Sequence, residues 1–390
     1  MKPKIIILGA GYAGIMAANR LEKQLDEVEI ILISESNFFQ ERIRNHETTV
    51  QEKRKNYQIK DLLRTRVKFL QAKITNILPN EKSVSLEGRS EPLFYDYLIL
   101  CLGSTGIQKK SNFENSIQSQ EAVSKFLKDS KQKEIQNLCI IGGGLTGIEM
   151  ATEWKHYHPH SSVTIVDRNE WGTSFSKKAK DYLQSYMFQN QIQILDNIKI
   201  ETISEKEIIF QNQTKLSFDV LFNCCGFHCS PLPKQAGFST NERNQVYVDP
   251  FLRTVGHPEV FVAGDLAYLE NSYLRMGCVT ALPMGAYIAD HLADLIQGKN
   301  ISPFLFQFFG RCISLGRNEG LIQFTDKDDK PKEKIIKGKW GARIKEMVNR
   351  FTIFSLKMEK LLPFRFYFWP KGNPIQMENK LQKNPVPIGV

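Results

Sequence analysis

The chain lacks any apolar run approaching the roughly 18 residues that a membrane-spanning helix needs, so no segment of its 390 residues reads as a span. Cysteine is sparse, with seven residues, an odd number, scattered in or beside apolar runs. That argues against a disulfide framework and for reduced thiols in a cytoplasmic protein. Cys224, Cys225 and Cys229 form C-C-x3-C, which has neither zinc nor redox spacing, and they read as buried structural thiols. Histidine is equally rare. Its one cluster, His156, His158 and His160, alternates about Pro159 at a helix end, where a solvated loop fits better than a metal clip. The opening Met-Lys-Pro-Lys runs straight into a strand and a glycine turn, which is not the plan of a signal peptide. Motifs of nucleic-acid recognition are missing too, so nucleic acid is not an expected partner.

Composition fits a globular chain of two or three domains, with 42% hydrophobic and 24% charged residues. Charge is unevenly placed. Residues 301–390 hold 17 Lys/Arg and 8 Asp/Glu, so +9 of the net +10 lies in the last segment. A basic tail on a near-neutral body points to an anionic contact.

Two glycine fingerprints carry the chemistry. Gly9-Ala10-Gly11-Tyr12-Ala13-Gly14 follows the apolar run Lys4 to Leu8, and Gly142-Gly143-Gly144-Leu145-Thr146-Gly147 follows Leu138 to Ile141. Each reads as strand, tight turn, helix, the context in which G-x-G-x-x-G marks a dinucleotide site. Gly9 and Gly142 permit the sharp turn. Gly11 and Gly144 let the backbone approach a pyrophosphate, and Gly14 and Gly147 allow close packing. Tyr12 and Ala13, like Leu145 and Thr146, open a helix whose N–H groups and dipole face the phosphates. Helices are predicted over Tyr12–Leu25 and Ile148–His156, with strands Val28–Ile33 and Val163–Val166 behind them. Asp167 ends the second strand, where a carboxylate accepts ribose hydroxyls. It favours NADH, and Arg168 beside it leaves NADPH open. In the first unit Glu35 takes the ribose position, one residue late. Two such units suggest a flavin and a nicotinamide held for hydride exchange.

Further strands run into glycines at Gly103, Gly226 and Gly264-Asp265. A helix follows over Ala281–Leu295. The expected class is α/β, with two Rossmann-like dinucleotide-binding domains. One spans 1–118 and 248–300, the other spans 119–247 as an insertion, and a basic α/β extension covers 301–390.

This order of motifs resembles the two-dinucleotide flavoproteins of the pyridine-nucleotide oxidoreductase superfamily, and within it the type II NADH dehydrogenase and apoptosis-inducing-factor-like branches. The resemblance covers roughly residues 4–300. It implies FAD on the first fingerprint and NAD(P)H on the second, with Gly264 and Asp265 at the flavin's ribityl–phosphate portion and Ala281 at the start of the late helix. It puts Phe39 to Arg44 where relatives contact the flavin, with Arg42 foremost; a basic surface loop is the alternative. It also implies that Glu149 sits near nicotinamide and flavin as a tuning residue. The alternative is a helix acid stabilised by the dipole. Disulfide-reductase relatives carry C-x4-C after the ribose strand, whereas residues 36–60 contain no cysteine. Electrons would then pass directly from flavin to acceptor.

The acceptor is less legible. The dehydrogenase branch carries an A-Q-x-A-x-Q-like stretch beside its quinone pocket. Here Cys278 to Gly285 has neither glutamine, which leaves Leu282 and Met284 as slot-lining candidates. Residues 339–362 read as an amphipathic helix with Trp340, Ile344, Met347, Phe351, Phe354, Met358 and Leu361 on one side and Arg343, Lys345, Arg350, Lys357 and Lys360 interspersed. Phe364 to Lys371 mixes aromatics with cations. Residues 339–371 suit an anionic membrane surface on the inner face of the membrane, or a second subunit in a homodimer. The reading is an FAD-dependent NADH:acceptor oxidoreductase with a quinone-like acceptor. A reductase feeding a ferredoxin- or rubredoxin-type protein, and a flavin redox sensor with little turnover, stay open.

Overall fold

In a computed structural model, residues 2–51, 56–106, 114–117, 120–130, 134–270, 272 and 274–372 are described. The domain boundary at 118–119 and residues 373–390 of the basic segment lie outside them. The chain opens with β1 (Lys4–Leu8), α1 (Tyr12–Gln24) and β2 (Glu29–Ser34), followed by a short helix α2 (Asn45–Gln51), β3 (Val67–Gln71) and β4 (Tyr97–Leu100). Next come β5 (Glu114–Asn115), β6 (Asn137–Ile141), α3 (Leu145–Tyr157), β7 (Ser162–Val166), β8 (Ile192–Leu195) and β9 (Val220–Asn223). Then follow β10 (Val246–Val248), β11 (Arg253–Thr254), β12 (His257–Val262), β13 (Ala267–Leu269) and α4 (Cys278–Ile296). The last part holds β14 (Gly310–Leu315), β15 (Glu319–Thr325), β16 (Pro331–Lys337) and α5 (Gly338–Leu361).

Two sheets carry the glycine turns. The first has eight strands in the order β13-β10-β11-β12-β4-β1-β2-β3, so residues 246–269 pair into the sheet begun by β1. The second has five in the order β5-β9-β6-β7-β8, with parallel pairing throughout. Ile5, Ile6, Ile7, Leu98, Ile99 and Leu100 are fully buried, which is why these strands read as unbroken apolar runs. In each sheet the fingerprint strand is central, with its next strand on one side and a later strand on the other. The turns after β1 and β6 thus lie at topological switch points, where dinucleotides bind.

The return to the first sheet starts at Val246, two residues before the boundary read from sequence. Strand β4 is shorter than the Tyr95–Leu102 run because the Tyr95 N–H turns away to bond the Lys82 carbonyl. The late helix starts three residues early, at Cys278, and the second fingerprint helix at Leu145.

The antiparallel sheet β14-β15-β16 and α5 form the basic extension. Gly320 and Gly341 let strand and helix touch, since a Cβ on Gly341 would sit 2.2 Å from the Gly320 carbonyl oxygen. A buried charge cluster ties this end to the beginning. Arg20, 2% exposed, makes a bidentate bond to Asp290 at 2.8 Å and donates to the Tyr367 carbonyl at 2.7 Å. The fully buried Glu359 carboxylate accepts the Phe366 and Tyr367 N–H groups.

Candidate functional site

The first turn is shaped by contacts only glycine tolerates. Gly9 has φ +103°, and a Cβ there would lie 2.3 Å from the Cys101 carbonyl oxygen. A Cβ on Gly14 would lie 2.0 Å from that of Gly9. Gly14 therefore clears the turn itself as well as admitting the helix. Gly11 differs, for a Cβ there meets nothing within 4 Å. It caps α1 with no side-chain hydrogen bond and no acid in the first turn, so the helix N–H groups face open space. This is the shape a pyrophosphate requires, and the residues fit FAD there. The Tyr12 ring leaves the cradle and packs edge-on against Phe39, 5.0 Å between centroids. Only its backbone serves the turn. Burial pushes its hydroxyl well above the ordinary tyrosine range.

Around the cradle the structure gathers residues from distant segments. Gly264, at φ +73°, faces Ala281 and Ala13, whose Cβ atoms would be 3.5 and 3.6 Å from an added Cβ. The Asp265 carboxylate accepts the Gly277 N–H at 2.6 Å and the Ser104 hydroxyl at 2.5 Å. Arg42 donates to the Ser104 carbonyl at 2.7 Å and lies 3.8 Å from Asp265. Gly103, at φ +67°, adjoins Arg42. Arg42 is thus part of a polar ring with Asp265 and Ser104, its side chain partly exposed. Glu35 is exposed, just beyond β2. Leu282 and Met284 do not line a slot. Both are core residues, and the Met284 sulfur accepts the Gly264 N–H at 3.2 Å.

The second turn repeats the first. Gly142 has φ +101°, a Cβ on Gly147 would stand 1.9 Å from the Gly142 carbonyl oxygen, and Gly144 again opens on empty space. Asp167 is drawn into the turn, accepting the Gly143 N–H at 2.9 Å and the Asn169 N–H at 3.0 Å. Trp171 covers Gly143, and Gly226 adopts φ +52° after β9. Leu145 and Thr146 supply the first turn of α3.

Glu149, in the second turn of α3, is no surface acid. Its Oε1 accepts the Ser314 N–H at 3.0 Å and pairs with Lys345 Nζ at 2.9 Å. Its Oε2 lies 3.8 Å from His46 Nδ1. Four elements (α2, α3, β14 and α5) converge on one carboxylate. Burial would push its acidity up, but Lys345, then His46 and the Ser314 amide, hold it below the ordinary carboxylate range. Lys345 is buried as well, which lowers an ammonium, yet Glu149 raises it above its ordinary value. The pair is a stable carboxylate and ammonium. The Cys278 and Cys312 thiols lie in the field of Lys345, and burial pushes Cys278 to about 11.

Sequence reasoning missed Lys345, His46 and Ser104. Lys345 had a signal. With Asn349, Thr352, Leu356 and Glu359 it follows helical spacing on the face opposite the apolar stripe, and that face is the packed one. His46 stands two residues beyond the segment flagged for the flavin. The tail Phe364 to Lys371 is only partly outward, for Tyr367 is buried and Trp369 Nε1 donates to the Leu305 carbonyl. Burial pushes Cys139 and Cys229 to about 12, and His158 stacks on Trp154, 4.3 Å between centroids.

The family model for pyridine nucleotide-disulphide oxidoreductase matches residues 3–289. A type II NADH:quinone oxidoreductase of Staphylococcus haemolyticus (strain JCSC1435) is 25% identical over 396 residues, covering 91% of this chain and 96% of that protein. The ferroptosis suppressor protein 1 of Xenopus tropicalis is 24% identical over 342 residues, covering 83% and 88%. Among solved structures, NDH2 from Plasmodium falciparum in complex with NADH superposes with a TM-score of 0.73 at 17% identity, over 94% of this chain and 100% of that one. The sulfide:quinone oxidoreductase of Aquifex aeolicus gives 0.77 at 15%, over 98% and 95%. The chain belongs to the pyridine nucleotide-disulphide oxidoreductase family and is an oxidoreductase working with FAD and NADH.

Proposed function

We propose that this member of the pyridine nucleotide-disulphide oxidoreductase family is a peripheral NADH:quinone oxidoreductase. In this reading residues 1–118 and 248–300 hold FAD, 119–247 hold NADH, and 301–390 meet the membrane. FAD held there would supply the two-electron chemistry between nicotinamide and acceptor. The protein's part is placement. The N–H groups beyond Gly11 and Gly144 receive the two pyrophosphates. Asp265, fixed by Ser104 and Gly277, and Arg42 orient the flavin's polar chain. Asp167 and Glu35 take ribose hydroxyls.

The observation that carries the acceptor assignment is the buried Glu149–Lys345 pair. It joins the helix of the second dinucleotide turn to α5, the helix whose outer face is apolar. Reducing a quinone to a quinol takes two electrons and two protons. In this reading both protons come from solvent, and the ammonium of Lys345, held charged 2.9 Å from Glu149, donates a hydrogen bond that stabilises the developing negative oxygen. With both glutamines absent, Lys345 is the donor that this reading assigns to a quinone oxygen, and Glu149 holds it charged.

Helix α5 supports the membrane contact. Its buried face is largely polar (Asn349, Thr352, Ser355, Glu359), while Trp340 is 66%, Leu361 65% and Phe368 74% exposed. No helix of the described residues is long and apolar enough to cross a membrane. An outward apolar stripe flanked by cations suits the anionic inner face, reached from the cytoplasm.

Purified, flavin-loaded protein should be offered NADH with a short-chain quinone, a ferredoxin-type protein or ferricyanide, with and without liposomes. Quinone turnover raised by liposomes, and lost from Trp340→Ser/Phe351→Ser, is expected. Turnover on the iron–sulfur protein alone would favour the soluble-partner reading. Bleaching by NADH with negligible turnover on all three would favour a sensor. An outer face buried in a homodimer would appear as a doubled mass that the same substitutions split.

A further inference from the structure

Beside the outward stripe lies a cleft of about 580 Å³, lined by Arg317, Asn318, Lys339, Arg343, Glu346 and Arg350 among others. Four cations face one carboxylate. Their commitments differ. Arg317 is held by Glu47 and Glu153 at 3.3 and 2.5 Å, and Arg350 by Glu346 at 2.7 Å. Glu346 is itself shared with Arg44 at 2.9 Å. Among the described residues, no carboxylate lies within ion-pair distance of Lys339 or Arg343. Arg343 stacks on Trp340, 5.0 Å from the ring centroid. Lys339, Arg343, Arg350 and Lys357 succeed one another at steps of four and seven residues. They therefore form one edge of α5, alongside Trp340, Met347, Phe351 and Phe354.

We propose that this cleft binds the phosphate of an anionic phospholipid headgroup. The proposal rests on the membrane reading above and adds a defined headgroup site to it. The occupant follows from the surroundings. Two uncompensated cations call for an anion, and the exposed aromatic residues on the same helix put the cleft at the depth of the headgroups when the stripe enters the acyl region. Arg343, held over the Trp340 ring, brings a guanidinium, which can bind phosphate bidentately, to the cleft. Asn318 at the rim adds an amide donor. A soluble phosphate meets the same charges but lacks the apolar neighbour.

The test is vesicle sedimentation of the flavin-loaded protein with phosphatidylcholine alone and with an equimolar mixture of phosphatidylcholine and phosphatidylglycerol. Three proteins are compared: wild type, Lys339→Gln/Arg343→Gln, and Lys332→Gln/Lys334→Gln, which removes the same charge from β16 outside the cleft. The flavin absorbance of each confirms that it is folded. Wild type is expected to prefer the anionic vesicles. The cleft variant should lose about thirtyfold in affinity for them, since each cation near the surface contributes about 1 kcal/mol, and keep its weaker hold on phosphatidylcholine. The β16 variant should lose far less. Equal losses in the two variants, or no preference for anionic vesicles, overturn the headgroup site while the membrane reading stands. Absence of binding to either vesicle removes the membrane reading, and the headgroup site with it. Competition by inorganic phosphate at millimolar concentration that abolishes the preference would reassign the cleft to soluble phosphate and overturn the lipid assignment.

Discussion

At Gly9 the backbone sits at φ +103° and at Gly142 at +101°, and a Cβ added to the third glycine of each turn would clash with the first glycine's carbonyl oxygen at 2.0 and 1.9 Å. The backbones of the two turns are nearly interchangeable. Their surroundings are not. Over the first turn, residues from four later segments close a polar ring of Arg42, Ser104, Asp265 and Gly277, while Glu35 stays exposed and apart. Over the second, one local acid, Asp167, reaches back into the turn itself, and Trp171 lies on it. A turn repeated in sequence therefore repeats a phosphate cradle and leaves ligand identity to what folds over it. A ring assembled from distant segments suits a resident group, and a turn braced by its own neighbours suits a ligand that comes and goes.

Breaking the shared backbone should have the largest effect. Gly14→Ala and Gly147→Ala each place a methyl inside a carbonyl's radius. Each should destabilise by about 3 kcal/mol or more, read as denaturant midpoint. A change under about 0.5 kcal/mol would mean that the turn can relax. Next comes the pair that joins the helix of the second turn to α5. Glu149→Gln or Lys345→Met alone leaves a buried charge and should cost about 3–5 kcal/mol. The double variant should recover much of it, and a strictly additive double variant would show that the pair is not coupled. Quinone turnover should fall in all three.

That pair also sets a pH window. Glu149 is held below its ordinary value of 4.5, so its contribution is present above that value and is lost as pH falls through the folded one. Lys345 is held above 10.5, so its contribution is complete below that value and fades as pH rises through the folded one. The stability gap between wild type and the double variant should therefore stay level from about pH 5 to about pH 10 and narrow outside. A gap that varies across neutral pH would implicate another group.

The third test separates the turns by ligand. Gly11→Ala and Gly144→Ala meet open space and should leave the thermal midpoint of the cofactor-free protein unchanged. Gly11→Ala should weaken FAD retention about tenfold or more, with Gly144→Ala raising the KM for NADH by a similar factor. Exchanged phenotypes would exchange the assignments. Smallest is Asp167→Asn, which keeps an oxygen for the Gly143 N–H and removes the charge. Preference for NADH over NADPH should shrink about fivefold, the equivalent of two unit charges about 4 Å apart in water.

Much of this was legible because it is local. A glycine needed at φ +103°, an apolar strand and a following acid all lie within a few dozen residues. Sequence periodicity also located α5 to within a residue at each end. It left the partner of the apolar stripe between lipid and a second subunit, and in the structure Trp340, Met347 and Leu361 on that stripe are exposed. An apolar stripe is ordinarily read as the buried one, but Arg20, Asp290 and Glu149 had already defined a polar seat for Lys345 and Glu359. Such seats are built by residues hundreds of positions away, so the helical spacing of Lys345, Asn349, Thr352 and Glu359 marks a face of α5 without naming what that face meets. Met284 was misplaced for the same reason, since its partner, the Gly264 N–H, comes from another element.

The Arg20 cluster bears on the order in which the molecule is made. Its contacts span 270 residues to Asp290 and 347 to Tyr367. As the chain leaves the ribosome, α1 must wait for α4 before its guanidinium is paired, and for the final turns of α5 and the segment that carries Tyr367 before it is sealed. The oily outer face of α5 (Gly338–Leu361) thus emerges after both dinucleotide sheets. It appears when the dinucleotide sheets already exist to pull the helix's polar side inward. Under the proposed membrane contact, nascent chains should acquire affinity for lipid only after the dinucleotide sheets have formed, which limits the time a half-built chain spends on a bilayer.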